Sequence, residues 1–202
     1  MSQALIVIDV QKDFCPGGTL AVPEGDTIVA PINALMAEAG VVVLTQDWHP
    51  AGHSSFASSH AGKSPYDMIE MPYGPQVLWP DHCVKGRKGA RFHAGLQVDH
   101  ADLVIRKGSN PQIDSYSAFF ENDHVTPTGL TGYLRTRGVE EVVLVGLALD
   151  FCVNFSAIDA ATLGFKVTVR QDLCRAIDLN GSLDAAIVGM KAAGVSLETG
   201  NG

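Results

Sequence analysis

The sequence lacks several features that define specialised classes of protein. Its 202 residues contain no apolar run that approaches the ~18 residues of a membrane span. The N-terminus has no basic segment and no small-residue cleavage site, so we expect no signal peptide and a cytoplasmic location. Lys and Arg total 14 against 22 Asp and Glu, which gives a net charge of −8. This balance argues against a nucleic-acid partner, because phosphate backbones are bound by clustered Lys and Arg.

Cysteine is also scarce, and no Cys-x-x-Cys pair of the zinc-binding type occurs among Cys15, Cys83, Cys152 and Cys174. Because thiols stay reduced in the cytoplasm, we expect all of them to be free. A hydrophobic content of 46% over 202 residues suffices for one substantial core. We therefore predict a single domain spanning residues 1–202, and the sequence leaves its oligomeric state open between monomer and homodimer.

Short apolar runs alternate with helical patterns along the chain. The apolar runs predict buried parallel strands at 5–10, 41–45, 103–106, 142–146, 166–169 and 195–197. Helical spacing predicts helices at 27–39, 129–137, 152–163 and 182–193. This alternation is typical of a three-layer α/β fold, in which a six-stranded parallel sheet carries helices on both faces. Residues 48–100 interrupt the alternation, and we interpret them as an excursion that builds a site.

Four of these strands end beside residues that can titrate or bind a metal. Asp9 closes the first strand, Asp47 and His49 the second, Lys107 the third, and Cys152 follows the fourth. Because ligands bind at the carboxyl ends of parallel strands, we expect these side chains on one rim. Taken singly, Asp9 could be a cap, Lys107 a surface lysine and Cys152 an inert buried thiol. Their convergence on one rim favours a catalytic group.

Cys152 has the surroundings of a nucleophile in this arrangement. It begins the predicted helix 152–163, where the helix dipole would lower the thiol pKa, and Lys107 would lower it further. Asp9 would take the thiol proton and pass it to a leaving amine. Backbone amides at the start of the helix would face a developing oxyanion.

A metal site is predicted next to this group. Asp47 and His49 are two residues apart on a strand and so point to the same face, while His53 and His82 follow in the excursion. A set of one carboxylate and two imidazoles with open positions suits a divalent transition metal. The ligands do not choose among zinc, iron and manganese, and a polar loop with capping histidines is the alternative.

Several stretches then match one known family in order. They are DVQKDF at 9–14, GGTLAVPEG at 17–25, QDWHP at 46–50 with HSSF at 53–56, WPDHCV at 79–84, KG at 107–108 with DSYSAF at 114–119, and GLALDFCV at 146–153. With these motifs the sequence closely resembles the bacterial nicotinamidases, also called pyrazinamidases, of the isochorismatase-like cysteine hydrolases. The resemblance extends from residue 9 to about residue 175.

The resemblance implies an amidase that converts nicotinamide, and also pyrazinamide, to the acid and ammonia through a cysteine thioester, as in NAD salvage. It implies a triad of Asp9, Lys107 and Cys152, and a cis Leu147–Ala148 peptide bond with the amides of Ala148 and Cys152 facing the oxyanion. It also implies a divalent metal on Asp47, His49 and His82, with His53 a ligand in some members and a contact of bound water in others. The matching substrate positions are Phe14, Leu20, Val22, Trp79, Tyr116 and Leu147.

Two departures from the family pattern concern the pocket. Leu149 stands where the family usually has Thr, and Phe151 occupies a variable position. Both could alter the substrate range, so an amidase acting on another small amide or a ureido compound is the first alternative. Hydrolysis of isochorismate fits less well, because those enzymes generally lack the cysteine and the metal set. The second alternative is a metal-binding protein without catalysis, in which Cys152 would be unreactive.

Overall fold

The computed structural model describes residues 2–200. The main sheet contains strands β1 (Ser2–Ile8), β2 (Val42–Asp47), β5 (Leu103–Lys107), β6 (Val139–Leu147), β7 (Lys166–Arg175) and β8 (Ser196–Glu198). A separate hairpin is formed by β3 (Met68–Met71) and β4 (Gly74–Val77). The α-helices are α1 (Val29–Glu38), α2 (Leu130–Thr136), α3 (Asn154–Thr162) and α4 (Ser182–Ala192).

The main sheet has six strands in the order β5-β2-β1-β6-β7-β8. Every neighbouring pair in it runs parallel. The predicted fold class, a parallel sheet between helical layers, is therefore confirmed. All carboxyl ends lie at one rim, and the strands that deliver the predicted site residues, β5, β2, β1 and β6, are consecutive in the sheet.

The central strand β1 is apolar throughout its buried part because it serves two cores. Ile6 and Ile8 pack into a first core together with side chains of α2, α3 and α4. Leu5 and Val7 point the other way, into a second core with side chains of α1. The alternation of a strand places successive side chains on opposite faces, and each such side chain contributes roughly 1.5–3 kcal/mol on burial.

The excursion covers the rim of the sheet. It contains the hairpin of β3 and β4, and isolated bridges tie His49 to Val84 and Phe56 to Trp79. The sequence did not predict this hairpin, because its strands are four residues long and half-exposed, and one contains Pro75. The prediction that residues 48–100 form an irregular, site-covering segment is otherwise consistent with the fold.

The predicted helix 152–163 differs in the structure. A π-helical turn, Leu149–Val153, precedes α3, and the Val153 amide donates to the Ala148 carbonyl at 3.1 Å. Cys152 therefore lies in a wide turn before the helix rather than in its first turn. Such π-helical turns occur frequently at functional sites.

The longest described α-helix, α4, has 11 residues. Within residues 2–200 no helix combines the length and the hydrophobicity needed to cross a membrane. The four cysteines are free in this part of the chain, as expected.

Candidate active site

An acid, an ammonium and a thiol meet at the carboxyl rim of the sheet. Lys107 Nζ lies 2.8 Å from Asp9 Oδ2 and 3.5 Å from Cys152 Sγ. A carboxylate oxygen of Asp9 and the sulfur of Cys152 lie within 4.8 Å of each other. The structure thus brings together the three residues that the sequence predicts as a triad.

The carboxylate of Asp9 is positioned by hydrogen bonds with Thr45 on the neighbouring strand β2. Asp9 follows β1 with a φ of +47°, an uncommon conformation for a residue with a side chain. Its amide donates to Thr45 Oγ1 at 3.1 Å, and the Thr45 hydroxyl donates to Asp9 Oδ1 at 2.6 Å. One carboxylate oxygen is therefore occupied by β2, and the other faces Lys107.

Lys107 is fully buried and is surrounded by acceptors. Its ammonium donates to the Asp47 carboxylate and, at 2.8 Å, to the carbonyl of Ser115. Burial alone would lower the pKa of this ammonium, but the negative charges of Asp47 and Asp9 outweigh it and raise the pKa well above its ordinary value. Lys107 is therefore a fixed positive charge inside the site.

Burial raises the pKa values of both the Cys152 thiol and the Asp9 carboxyl above their ordinary values. Burial raises the pKa of Cys152 well above its ordinary value, although Lys107 acts in the opposite direction. The expectation of a lowered thiol pKa was wrong, because desolvation exceeds the effect of Lys107 and because the thiol precedes α3. Burial likewise raises the pKa of Asp9, which increases its affinity for a proton.

Asp47, His49 and His82 form the second group at the rim. Asp47 Oδ2 lies 3.7 Å from Nε2 of His49 and 3.7 Å from Nε2 of His82. Nδ1 of His49 donates to the Gly108 carbonyl at 2.9 Å, and Nδ1 of His82 donates to the Pro80 carbonyl at 2.8 Å. These bonds leave both Nε2 lone pairs facing the carboxylate. One carboxylate and two oriented imidazoles fit a divalent transition metal.

Asp47 connects this group to the triad. One of its oxygens accepts from Lys107, and the other faces the two histidines. Burial favours the neutral carboxyl, but Lys107 and the histidines outweigh it and hold the pKa of Asp47 well below its usual range. Asp47 is therefore an anion that both groups share.

His53 lies beside the metal group but is engaged by the protein. Its ring centroid is 4.5 Å from that of His49. Nε2 donates to the Asn110 carbonyl at 2.7 Å, and Nδ1 accepts from the Ser55 amide at 3.1 Å. Both ring nitrogens of His53 therefore have protein partners, although one ligand atom from each of His49, His53 and Asp114 lies within 4.8 Å of the others.

A cavity with an empty volume of about 310 Å³ lies above both groups. Its lining is mostly aromatic and apolar, with polar groups at the floor, as is common for small-ligand sites. The lining residues are Phe14, Leu20, Asp47, Trp79, His82, Asp114, Tyr116, Ala148, Phe151, Cys152 and Ile177.

Two predicted substrate positions do not reach this cavity. Val22 and Leu147 are fully buried in the second core. Leu147 is the last residue of β6 and alternates onto the sheet face that packs against α1, while the next residue, Ala148, reaches the cavity. The geometry therefore places both residues behind the cavity wall.

Three lining residues were not assigned from the sequence. Asp114 begins the motif at 114–119, but no function was predicted for it from the sequence. Its carboxylate lies 3.8 Å from His49 Nε2. Phe151 was noted only as a departure from the family pattern. Ile177 lies in the loop after β7, whose amides donate to Asp150. Asp114 and Phe151 both lie inside matched motifs, which was the available signal, whereas Ile177 lies outside them.

The turn after β6 carries the predicted cis peptide bond between Leu147 and Ala148. Gly146 precedes it with a φ of +116°, and a Cβ at this position would overlap the backbone of Ile8. Ala148 and Cys152, whose amides are predicted to face an oxyanion, lie in this turn and both line the cavity.

The fold and this rim together define a parallel α/β protein with a buried cysteine, lysine and aspartate at the carboxyl ends of its strands. A model of the family described as "Isochorismatase domain" matches residues 3–201. The chain therefore belongs to the isochorismatase family.

Similarity to individual proteins narrows this assignment. The chain is 55% identical to a nicotinamidase of Acinetobacter baylyi over 192 residues, which cover 95% of this chain and 90% of that protein. A solved Acinetobacter baumanii nicotinamidase/pyrazinamidase superposes with a TM-score of 0.97 at 54% identity, covering 98% of this chain and 96% of the other.

Two solved relatives contain bound groups. The yeast nicotinamidase bound to the inhibitor nicotinaldehyde has a TM-score of 0.92 and 34% identity, with 98% of this chain and 100% of the other covered. The pyrazinamidase of Pyrococcus horikoshii in complex with zinc has a TM-score of 0.79 and 33% identity, covering 99% and 100%.

Proposed function

We propose that this protein is an amidase that hydrolyses nicotinamide to nicotinate and ammonia through a thioester on Cys152. Nicotinamidases are its relatives at 55% and 45% identity. The observation that carries the proposal is the buried acid, ammonium and thiol at the floor of an aromatic cavity. Pyrazinamide, which has the same carboxamide on a similar ring, is expected to react as well.

The resting site begins the reaction with a neutral thiol. Because the pKa of Asp9 is raised, this carboxylate is a stronger base than an ordinary aspartate. Asp9 takes the thiol proton while Sγ of Cys152 bonds to the carboxamide carbon. The proton then passes to the departing nitrogen, and the C–N bond breaks. Ammonia is released, and the acyl group remains bound to Cys152 as a thioester. The backbone amides of Ala148 and Cys152 stabilise the oxyanion in this step.

Hydrolysis of the thioester reverses the roles. Asp9 accepts a proton from a water molecule while the oxygen of that water bonds to the acyl carbon. The C–S bond then breaks, nicotinate is released, and the proton returns to the sulfur. Lys107 keeps its positive charge throughout, because three groups around it accept hydrogen bonds or bear negative charge. It stabilises the thiolate and the Asp9 anion as each one forms.

The walls of the cavity orient the aromatic ring. Phe14 and Trp79 are proposed to flank the ring, with Leu20 and Tyr116 nearby. The indole N–H of Trp79 donates to the Tyr116 hydroxyl at 3.0 Å, and Phe151 packs edge-on against Trp79 with ring centroids 4.9 Å apart. These contacts fix the indole, so the ring of the substrate meets a preformed wall.

Asp47, His49 and His82 are proposed to hold one divalent metal ion: zinc, iron or manganese. When bound, such an ion supplies a Lewis acid that can hold the ring nitrogen and lower the pKa of a water molecule. Zinc in the related pyrazinamidase supports this assignment. Chelation should abolish turnover and re-addition of metal should restore it, with metal content measured on the same samples.

Substitution of the nucleophile tests the proposed activity. Cys152→Ala should abolish nicotinate and ammonia production, while Cys174→Ala, which removes another buried thiol from the same core, should retain most of it. A panel of small amides and ureido compounds, assayed for ammonia, would separate nicotinamide from other substrates. Wild-type turnover by Cys152→Ala would refute the assigned nucleophile. A cytoplasmic location stays a prediction.

A further inference from the structure

A second concave surface lies on the opposite face of the strands that carry the site. This groove has an empty volume of about 900 Å³ and is lined by Gln46, Trp48, Arg91, Phe92, Val104 and Arg106. It shares no lining residue with the catalytic cavity. In the β2–β5 ladder, Gln46 pairs with Arg106 and the next pair is Asp47 with Lys107. Because side chains alternate along strands, Gln46 and Arg106 point to the opposite face of the sheet from Asp47 and Lys107.

The guanidinium of Arg106 is held in a fixed position in the groove. It stacks over the ring of Trp48, with Cζ 4.1 Å from the ring centroid. Its Nε donates to Gln46 Oε1 at 3.1 Å, and Gln46 Nε2 donates in turn to the Ala90 carbonyl at 2.8 Å. These contacts use one side of the guanidinium and leave the terminal nitrogens available. A fixed guanidinium is well suited to bidentate binding of a carboxylate or phosphate.

The positive charge of the groove is not neutralised by neighbouring side chains. Among residues 2–200, ion pairs of lysine and arginine involve Lys107, Arg137, Lys166, Arg170 and Arg175. Arg91 and Arg106 belong to none of them. In a chain with a net charge of −8, two uncompensated guanidiniums beside one concave surface form a local site for an anion.

The rest of the groove is apolar. Val104 on the edge strand β5 is 42% exposed, and Phe92 is half-buried. The second core contains side chains of β1, β2 and β6 but none of β5, so α1 leaves this part of the sheet uncovered. An isolated bridge between Gln11 and Phe92 fixes the strip that carries both Phe92 and Arg91. The backbone bridge at Phe92 therefore also positions the neighbouring Arg91.

We propose that this groove is a second binding site for a small aromatic carboxylate. The carboxylate would bind the guanidiniums of Arg91 and Arg106, and the ring would pack against Phe92 and Val104. This inference rests on the proposed function in one respect, since nicotinate, the product of the reaction, is such an anion. The same chemistry would accept an aromatic phosphate ester, and the titrations below distinguish the two kinds of ligand.

The two tryptophans make the test direct, because Trp79 lies in the catalytic cavity and Trp48 in the groove. The indole N–H signals of the zinc-loaded protein, assigned with Trp48→Phe, would be followed by NMR during titration with nicotinate. We expect two separate saturation curves, one for each indole. In Arg91→Gln/Arg106→Gln the Trp48 response should weaken at least tenfold while the Trp79 response is kept. Lys63→Gln/Lys191→Gln, which removes two positive charges elsewhere, should leave both curves unchanged.

Three further ligands define the chemistry that the groove recognises. Inorganic phosphate lacks the ring and 3-pyridinemethanol lacks the charge, so each should shift Trp48 far less than nicotinate does at equal concentration. Equal shifts with phosphate would overturn the proposal in favour of an unspecific anion site, and a stronger response to an aromatic nucleotide would overturn it in favour of a phosphate ester. A Trp79 response without any Trp48 response would refute the second binding site in the groove, and the proposed amidase function would still stand. If neither Trp48 nor Trp79 responded to nicotinate, the result would contradict both the groove site and the proposed amidase function.

Discussion

Lys107 has no exposed surface and lies between the carboxylates of Asp9 and Asp47. Removing one member of such a buried group leaves the remaining charges without compensation. The free-energy cost of this change exceeds the stability that the intact group contributes. The lysine therefore has a structural role as well as a proposed catalytic one. Its contact with Asp47 also makes the triad and the metal group interdependent.

Lys107→Met should lower the free energy of unfolding by about 3–5 kcal/mol, as measured by urea denaturation near neutral pH. The matched control is Lys166→Met, because Lys166 is 68% exposed at its side chain and pairs with Glu141 on the surface. That substitution should cost less than about 1 kcal/mol. Similar losses for the two variants would contradict the buried charge arrangement.

Asp9, Asp47, His49, Lys107 and Cys152 could be predicted to lie together from the sequence, because each lies at or just after the end of a strand and all strands of the main sheet end at one rim. The roles of the cavity residues Phe14, Leu20, Trp79 and Tyr116 followed only from the family resemblance. The direction of the Cys152 pKa shift could not be predicted, since it depends on how completely the surrounding chain excludes water. Val22 and Leu147, which were predicted to contact the substrate, lie in the second core and do not line the cavity. Matched motifs identify neighbours of a pocket, but only the register of β6 decides which of two adjacent residues faces it.

At the scale of elements, the turn after β5 connects the triad to the metal group. Gly108 follows Lys107 with a φ of +67°, and its carbonyl accepts from His49 Nδ1. A Cβ at Gly108 would overlap the imidazole of His49. The turn therefore orients a metal ligand through its backbone and needs glycine both for the conformation and for the space.

Gly108→Ala should weaken metal binding about 10–100-fold, the range typical for loss of a group that orients a ligand. Gly138→Ala is a close control, because Gly138 also has a φ of +67° but would place its Cβ in open space. Both variants should be destabilised by about 1–3 kcal/mol through the backbone conformation. Metal titration followed by elemental analysis separates the effects, and equal metal affinity in the two variants would contradict the assigned role of the turn.

The loop between β5 and α2 contains a buried carboxyl, Glu121, whose pKa burial raises to about 7 from an ordinary value of 4.5. The folded protein thus holds this proton more tightly than the unfolded chain. Its stabilising contribution is complete below about pH 4.5 and is lost as the pH rises through about 7. Glu121→Gln should remove this part of the pH dependence of the free energy of unfolding.

The measurement is a series of denaturation curves from pH 4.5 to pH 8, compared with the exposed control Glu140→Gln. Glu121→Gln should gain stability relative to the parent protein as the pH increases, whereas the control should follow the parent protein. Parallel curves for all three proteins would show that Glu121 titrates as an ordinary exposed carboxyl.

Elements with strong periodicity could be predicted, and those held by tertiary contacts could not. The strands of the parallel sheet are continuous apolar runs, so their positions differ from the prediction by a few residues at most, except at β7, which continues to Arg175. The hairpin of β3 and β4 and the π-helical turn at Leu149–Val153 have no such local signal. Both depend on packing against the rim.

At the scale of the whole molecule, the excursion at 48–100 is anchored to the sheet by bridges and by hydrogen bonds rather than by a core of its own. The amide of Trp48 donates to the Lys107 carbonyl at 2.9 Å, and that of His93 donates at 2.9 Å to the carbonyl of Val10, which follows β1. Trp79, also in the excursion, belongs to the second core. The prediction of one domain implies that the excursion and the sheet unfold together.

Both tryptophans lie in this excursion, so their fluorescence reports on it, while far-UV circular dichroism reports on the helices and the main sheet. The two signals should show the same urea midpoint in one cooperative transition. A fluorescence midpoint clearly below that of circular dichroism would contradict the single domain. A parallel sheet with helices on both faces could be predicted from the alternation of strand and helix patterns, but the extent of this coupling could not, because it depends on long-range hydrogen bonds.

The central claim is that Cys152 forms a covalent bond with the substrate. Rapid acid quenching of the protein during turnover of nicotinamide, followed by digestion and mass spectrometry, would detect that bond. The account predicts one nicotinoyl group on the peptide that contains Cys152 and none on the peptides of Cys15, Cys83 and Cys174. A nicotinoyl group on another residue, or steady turnover with no acylated peptide under conditions that preserve thioesters, would contradict it.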